Sequence, residues 1–195
     1  MTPEQKLILE EKKQKLKCEI DFKNFAQANI LPFIEILEEL TRLEIDYKII
    51  QTCSINEDWQ DMLVQLFAKE PFVNYPLSEI PISSENDLVE QLLEIYPNTH
   101  PMRYVPDLPL VAKFESDSSA ILKSILKTNQ LTDEHVYLYY FQYVFLLQIN
   151  LKTLAEKATE ELFNFGLGDA VLFPKDYKWL IAHSIEEEWQ FGFKD

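Results

Sequence analysis

Glycine is nearly missing from this chain, with three among 195 residues at Gly166, Gly168 and Gly192. A phosphate cradle needs bare backbone so that successive N–H groups can close on the anion. Phe165-Gly166-Leu167-Gly168-Asp169 is the one cluster, and it lacks the third glycine, the lysine and the preceding strand of the nucleotide-binding fingerprints. It reads as a helix end followed by a turn. Arginine is as scarce (Arg42 and Arg103), which leaves few bidentate anchors for phosphate or carboxylate. His100, His135 and His183 stand apart, without HxH, HExxH or CxxC spacing, so no metal and no other cofactor is expected. Two cysteines, Cys18 and Cys53, are too few for a secreted disulfide scaffold. They read as free thiols of a reducing cytosol, with a single bridge between them as the alternative. No run is apolar enough to span a bilayer, and MTPEQKLILEEKKQKLK lacks the apolar centre of a signal peptide, so a cytoplasmic protein is expected.

Positive charge is the other shortage. Eighteen Lys and Arg face 33 Asp and Glu, for a formal net charge of −15. A folded chain of this mass exposes roughly 9,600 Å². A surface that negative repels nucleic acid and anionic lipid and steers a basic partner toward it; the plainer reading is that the charge only keeps the protein soluble. Residues 1–17 differ, with five lysines against three glutamates. Nucleophilic catalysis finds no support, because Ser184 and its neighbour His183 point to opposite faces of a strand. Among 33 acids, carboxylate pairs arise by chance and carry no argument. The chain is therefore read as not an enzyme.

Apolar and aromatic residues are plentiful, at 47% and 13%, enough to fill a sizeable core. Periodicity predicts a charged helix over Pro3–Lys17, loosely packed within residues 1–20, and a second from Asn29 to Leu43, capped by Asn29 with Pro32 in its first turn. Glu44–Thr52 alternates as a half-buried strand. Trp59, Met62, Leu63, Leu66 and Phe67 mark a helix introduced by Asn56. Residues 70–84 suggest an irregular edge strand, Ser84 opens a helix to Tyr96, and PNTHPMRYVPDLP reads as a long loop. Leu110–Phe114 reads as a strand, and Asp117 or Ser118 caps a short helix. Residues 136–149 fit one long strand better than a helix, since Gln142 and Gln148 share a side only in a strand. A helix through Leu151, Leu154, Ala158 and Leu162 ends at Gly166. Ala170–Phe173, Trp179–Ile185 and Glu188–Phe193 close the chain. Strands separated by helices make residues 1–195 a single α+β domain, with a mixed or antiparallel sheet covered by helices and a C-terminal β-hairpin.

The closing stretch VLFPKDYKWLIAHSIEEEWQFGF resembles the final hairpins of immunity proteins from bacterial polymorphic-toxin and contact-dependent inhibition systems. The resemblance covers about 25 residues and carries no invariant motif. It implies a non-catalytic toxin inhibitor whose acidic surface masks a basic toxin domain. The residues placed to bind that partner are Glu186, Glu187 and Glu188 at the hairpin turn, with Trp189 and His183 beside them; for each acid the plainer reading is a solvated turn. Two other readings stay open. One is an enzyme or small-ligand binder with a site around His183; a structural role for that histidine is the plainer alternative. The other is a homo-oligomeric module whose edge strands pair.

Overall fold

The computed structural model describes residues 2–52, 55–71, 73, 82, 87–99, 105–114, 117–164 and 169–194. Cys53, His100, Arg103, Gly166, Gly168, the helix start at Ser84 and almost all of the 70–84 segment after Pro71 lie outside them. Helical backbone runs unbroken from Pro3 to Arg42: α1 (Pro3–Phe25), a π turn (Ala26–Ile30) and α2 (Leu31–Arg42). Two separate helices were expected here. Asn29 is no cap; its Nδ2 donates to the Phe25 carbonyl at 3.0 Å inside the helix. The wider π turn lies just before Pro32, whose ring clashes with the preceding turn of an α-helix and which has no N–H to donate. The true start is a capping box of Thr2 and Gln5.

The remaining elements are β1 (Tyr47–Thr52), a 3-10 turn (Glu57–Trp59) leading into α3 (Gln60–Phe67), α4 (Asp87–Ile95), β2 (Leu110–Lys113), α5 (Ser118–Thr128), β3 (His135–Tyr140), β4 (Phe145–Asn150), α6 (Leu151–Lys157), α7 (Glu160–Asn164), β5 (Ala170–Phe173), β6 (Trp179–His183) and β7 (Glu188–Phe193). The strands form one seven-stranded sheet in the order β1-β4-β3-β5-β6-β7-β2, and every pairing is antiparallel. This is a single-domain α+β fold.

The long strand expected over 136–149 is a hairpin, β3 turning into β4. Tyr143 N–H donates to the Tyr140 carbonyl at 2.9 Å, closing the turn through Phe141 and Gln142. No residue of this turn has positive φ, so the turn needs neither glycine nor asparagine and leaves no mark in the sequence. The reversal also changes the faces. Val136 pairs with Ile149 and Leu138 with Leu147, so Phe145, Leu147 and Ile149 join Val136, Leu138 and Tyr140 rather than Tyr137 and Tyr139. The single helix expected after Leu151 is also two. Ala158 turns extended (ψ 134), and the Thr159 hydroxyl accepts from Leu162 N–H to start α7.

The larger core lies between one sheet face and α2, α3, α5, α6 and α7, around Phe33, Phe67, Phe145, Phe163, Trp179 and Trp189. On the other face Leu88, Leu92, Tyr96 and Val105 cover Tyr139, Leu146, Val171, Phe173 and Leu180. Gly192 lies where the 105–109 segment crosses β7, and a Cβ there would come within 2.8 Å of the Leu108 side-chain tip. That tip can swing aside for one methyl but not for a branched side chain. Gly192→Ala should therefore cost under about 1 kcal/mol and Gly192→Val about 1–3 kcal/mol in urea-denaturation stability. Equal costs would show that the crossing is looser than described.

Both edge strands depart from regular register, β1 between Ile49 and Gln51 and β2 between Leu110 and Ala112. Bulges of this kind blunt a free edge against pairing with another chain. Among the described residues, no helix is long and apolar enough to cross a membrane.

Candidate functional site

The β6–β7 hairpin separates the five residues singled out from the sequence into a buried group and an exposed pair. His183, Glu188 and Trp189 are buried, at 5%, 7% and 0% exposure, and offer no surface to a partner. Glu186 and Glu187 are exposed. Glu188 opens β7, as the strand expected over Glu188–Phe193 has it, but it is not free for a partner: its Oε1 accepts from Lys113 Nζ of neighbouring β2 at 2.6 Å.

His183 pairs with Trp189 across the hairpin and packs against its ring at 4.8 Å between centroids, with Phe163 of α7 at 4.7 Å from Trp189. Alternation along β6 places His183 with Trp179 and Ile181, as the sequence pattern predicts. Burial pushes the imidazole pKa down to about 4, against the opposing charge of Asp169, so it is neutral at pH 7. Among the described residues its Nδ1 has no hydrogen-bond partner, and the same holds for Ser184 Oγ, Trp189 Nε1 and Gln190 Oε1. Each such buried atom forgoes roughly 1–3 kcal/mol of solvation.

The turn itself is tightly held. Ser184 N–H donates to the Glu188 carbonyl at 3.0 Å, and Glu187 N–H to the Ser184 carbonyl at 2.9 Å. Ile185 N–H donates to Oδ1 of Asp169, which is 1% exposed, at 2.7 Å. Glu187 has φ 58, the left-handed conformation that a three-residue hairpin loop asks of its last residue and usually gives to glycine. Its carbonyl accepts from the N–H of Phe114, which has φ 56. A bulky residue in that region is strained, by about 1–2 kcal/mol. The result is a fixed surface on which Phe114 (69% exposed) and Ile185 (48% exposed) stand beside Glu186 and Glu187. Sequence reasoning missed Phe114 and Ile185 because an apolar residue at a strand end looks like core.

Acids also gather on the helical layer. Glu35 and Glu38 of α2 and Glu160 and Glu161 of α7 are exposed. Arg42 binds the buried Glu39 through two contacts of 2.6 Å and reaches Glu161 at 3.9 Å. The Arg42 guanidinium, more than the opposing burial, holds the Glu39 carboxyl below the ordinary carboxylate range.

Three described clefts lie away from His183. One of about 300 Å³ runs along β1, β4 and β3 past Asp46, Lys48, His135 and Asn150. Another of about 280 Å³ separates β2 from α5, and a third of about 330 Å³ separates α5 from α6. Among the described residues, no three or more His, Cys, Asp or Glu gather in a way that could hold a metal ion. Cys18 is a free thiol. The chain matches no protein-family model, no curated protein and no solved structure.

Proposed function

We propose that this chain is a non-catalytic binder of a basic protein, of the immunity-protein kind, and that it docks through the Phe114–Ile185–Glu186–Glu187 surface. The observation that carries the reading is the make-up of that surface: two exposed apolar side chains beside two glutamates, on a turn pinned by a buried aspartate. The neighbouring cation, Lys113, stands 4.9 Å over the Phe114 ring and is already paired to Glu188. Apolar anchors beside charged rim residues are what protein interfaces present. A turn fixed before contact loses little entropy on binding. The net charge of −15 supplies long-range attraction for a cationic partner, which raises the association rate and makes it sensitive to salt. His183, Trp189 and Glu188 act in this scheme from beneath, as the packing that holds the turn in place.

The test is affinity capture from source cells with wild-type, Phe114→Ser and Glu186→Lys/Glu187→Lys baits. The wild type should retain a basic protein at about 50 mM salt and release it near 500 mM, where screening is nearly complete. Both variants should lose it while unfolding at the wild-type denaturant concentration. Retention by the variants would remove this turn from the interface, and capture of no cationic protein would overturn the reading. An adjacent reading frame encoding a large secreted protein with a variable C-terminal domain would add support for the immunity role.

A further inference from the structure

Helix α1 has 23 residues and no buried side chain. Helices in proteins draw most of their stability from packing one face against other elements. At 100° per residue, Leu9, Leu16 and Ile20 fall within about 40° of one another. They are 42%, 57% and 50% exposed. Lys6, Lys12, Lys13 and Lys23 lie within about 60° of the centre of that stripe, and the nearest acidic residue, Glu19, lies about 80° from it. The opposite side of the helix faces the body, where Phe22 and Phe25 meet the Trp59 ring at 5.8 and 5.1 Å. The lysine-flanked stripe therefore faces away from the described body of its own chain.

The same run of helical backbone ends in the opposite charge. α2 and α7 carry Glu35, Glu38, Glu39, Glu160 and Glu161 against Arg42 alone, and Leu31 is 44% exposed at the start of α2. We infer that the stripe of α1 docks on the α2–α7 face of a second copy of this chain. In an antiparallel pair centred on Lys23 and Asn24, Lys12 comes level with Glu35 and Leu16 with Leu31. A two-fold axis gives each copy one basic arm and one acidic face, so the contact closes as a dimer. Pairing α1 with α1 would bring two lysine rows together, which like-charge repulsion opposes. An anionic membrane would attract the arm but repel the body, whose residues 18–195 carry −17 once the +2 of residues 1–17 is removed from −15. This inference is independent of the partner surface at the β6–β7 turn.

Sedimentation of the full chain at about 20 mM and 500 mM salt tests it. A dimer is expected at low salt and a monomer at high salt. Lys12→Glu/Lys13→Glu should be monomeric at low salt, as should Glu35→Lys/Glu38→Lys. An equimolar mixture of the two variants should restore a 1:1 dimer, because the reversed charges complement each other. These residues are all exposed, and far-UV circular dichroism confirms that each variant keeps its helices. A wild type that stays monomeric at low salt overturns the inference, as do single variants that still dimerise. So does α1-dependent binding to phosphatidylserine vesicles by a chain that does not dimerise.

Discussion

Trp189→Ala should destabilise the protein by about 3–5 kcal/mol, much of the margin of a domain this size. The indole is wholly buried and packed between Phe163 and His183, so truncation opens a cavity that three elements cannot readily refill. Trp189→Phe should behave differently. It keeps an aromatic ring in the stack and removes Nε1–H, a buried donor without an acceptor among the described residues, so its cost should stay below about 1.5 kcal/mol. Urea unfolding at neutral pH measures both. If alanine cost less than about 1 kcal/mol, the core would not be closed around this ring.

Acidification should weaken the fold through His183 before it does so through Glu39 or Asp133. The unfolded chain binds a proton on this imidazole near pH 6.5, whereas the buried native ring resists it until about pH 4. A depressed native pKa means the contribution is complete above pH 6.5 and is lost as pH falls toward 4, by roughly 3 kcal/mol in all. Glu39 and Asp133 act lower. Arg42 holds Glu39 below its ordinary value, and for Asp133 the hydrogen bonds from Lys178 and Trp179 outweigh burial, so their contributions fade only below the normal carboxylate range. His183→Gln should therefore flatten the stability profile between pH 6.5 and 4.5 while leaving the steeper loss at lower pH. Parallel profiles for variant and wild type would show that the ring takes up its proton without unfolding.

The closing strands were legible as short apolar runs, buried on both faces, between polar turns, although β6 ends at His183 rather than at Ile185 because Ser184 already begins the turn. Asn56 and Asp117 were legible as helix starts because their side chains do accept from backbone N–H groups. The β3–β4 turn was not, since Phe141 and Gln142 adopt ordinary backbone angles that any residue can take. Nor was the continuity of Pro3–Arg42, because a π turn has no composition of its own and Asn29 with Pro32 imitates a helix start. At the candidate site, the turn glutamates were visible as charge. That Glu188 is covered depended on its pairing with Lys113 of β2, which lies 75 residues away, and Phe114 became conspicuous only through its left-handed backbone and its bond to Glu187. Asp169 was hidden for a different reason: it stands 16 residues from the turn it anchors.

The central claim is that the Phe114–Glu187 surface recognises a cationic protein. Its most direct test is the rate at which the captured partner associates with wild type and with Glu186→Lys/Glu187→Lys across a salt series. The wild-type rate should fall steeply with added salt, and the variant should be slower at low salt with a flatter dependence. Coincident curves would contradict the claim.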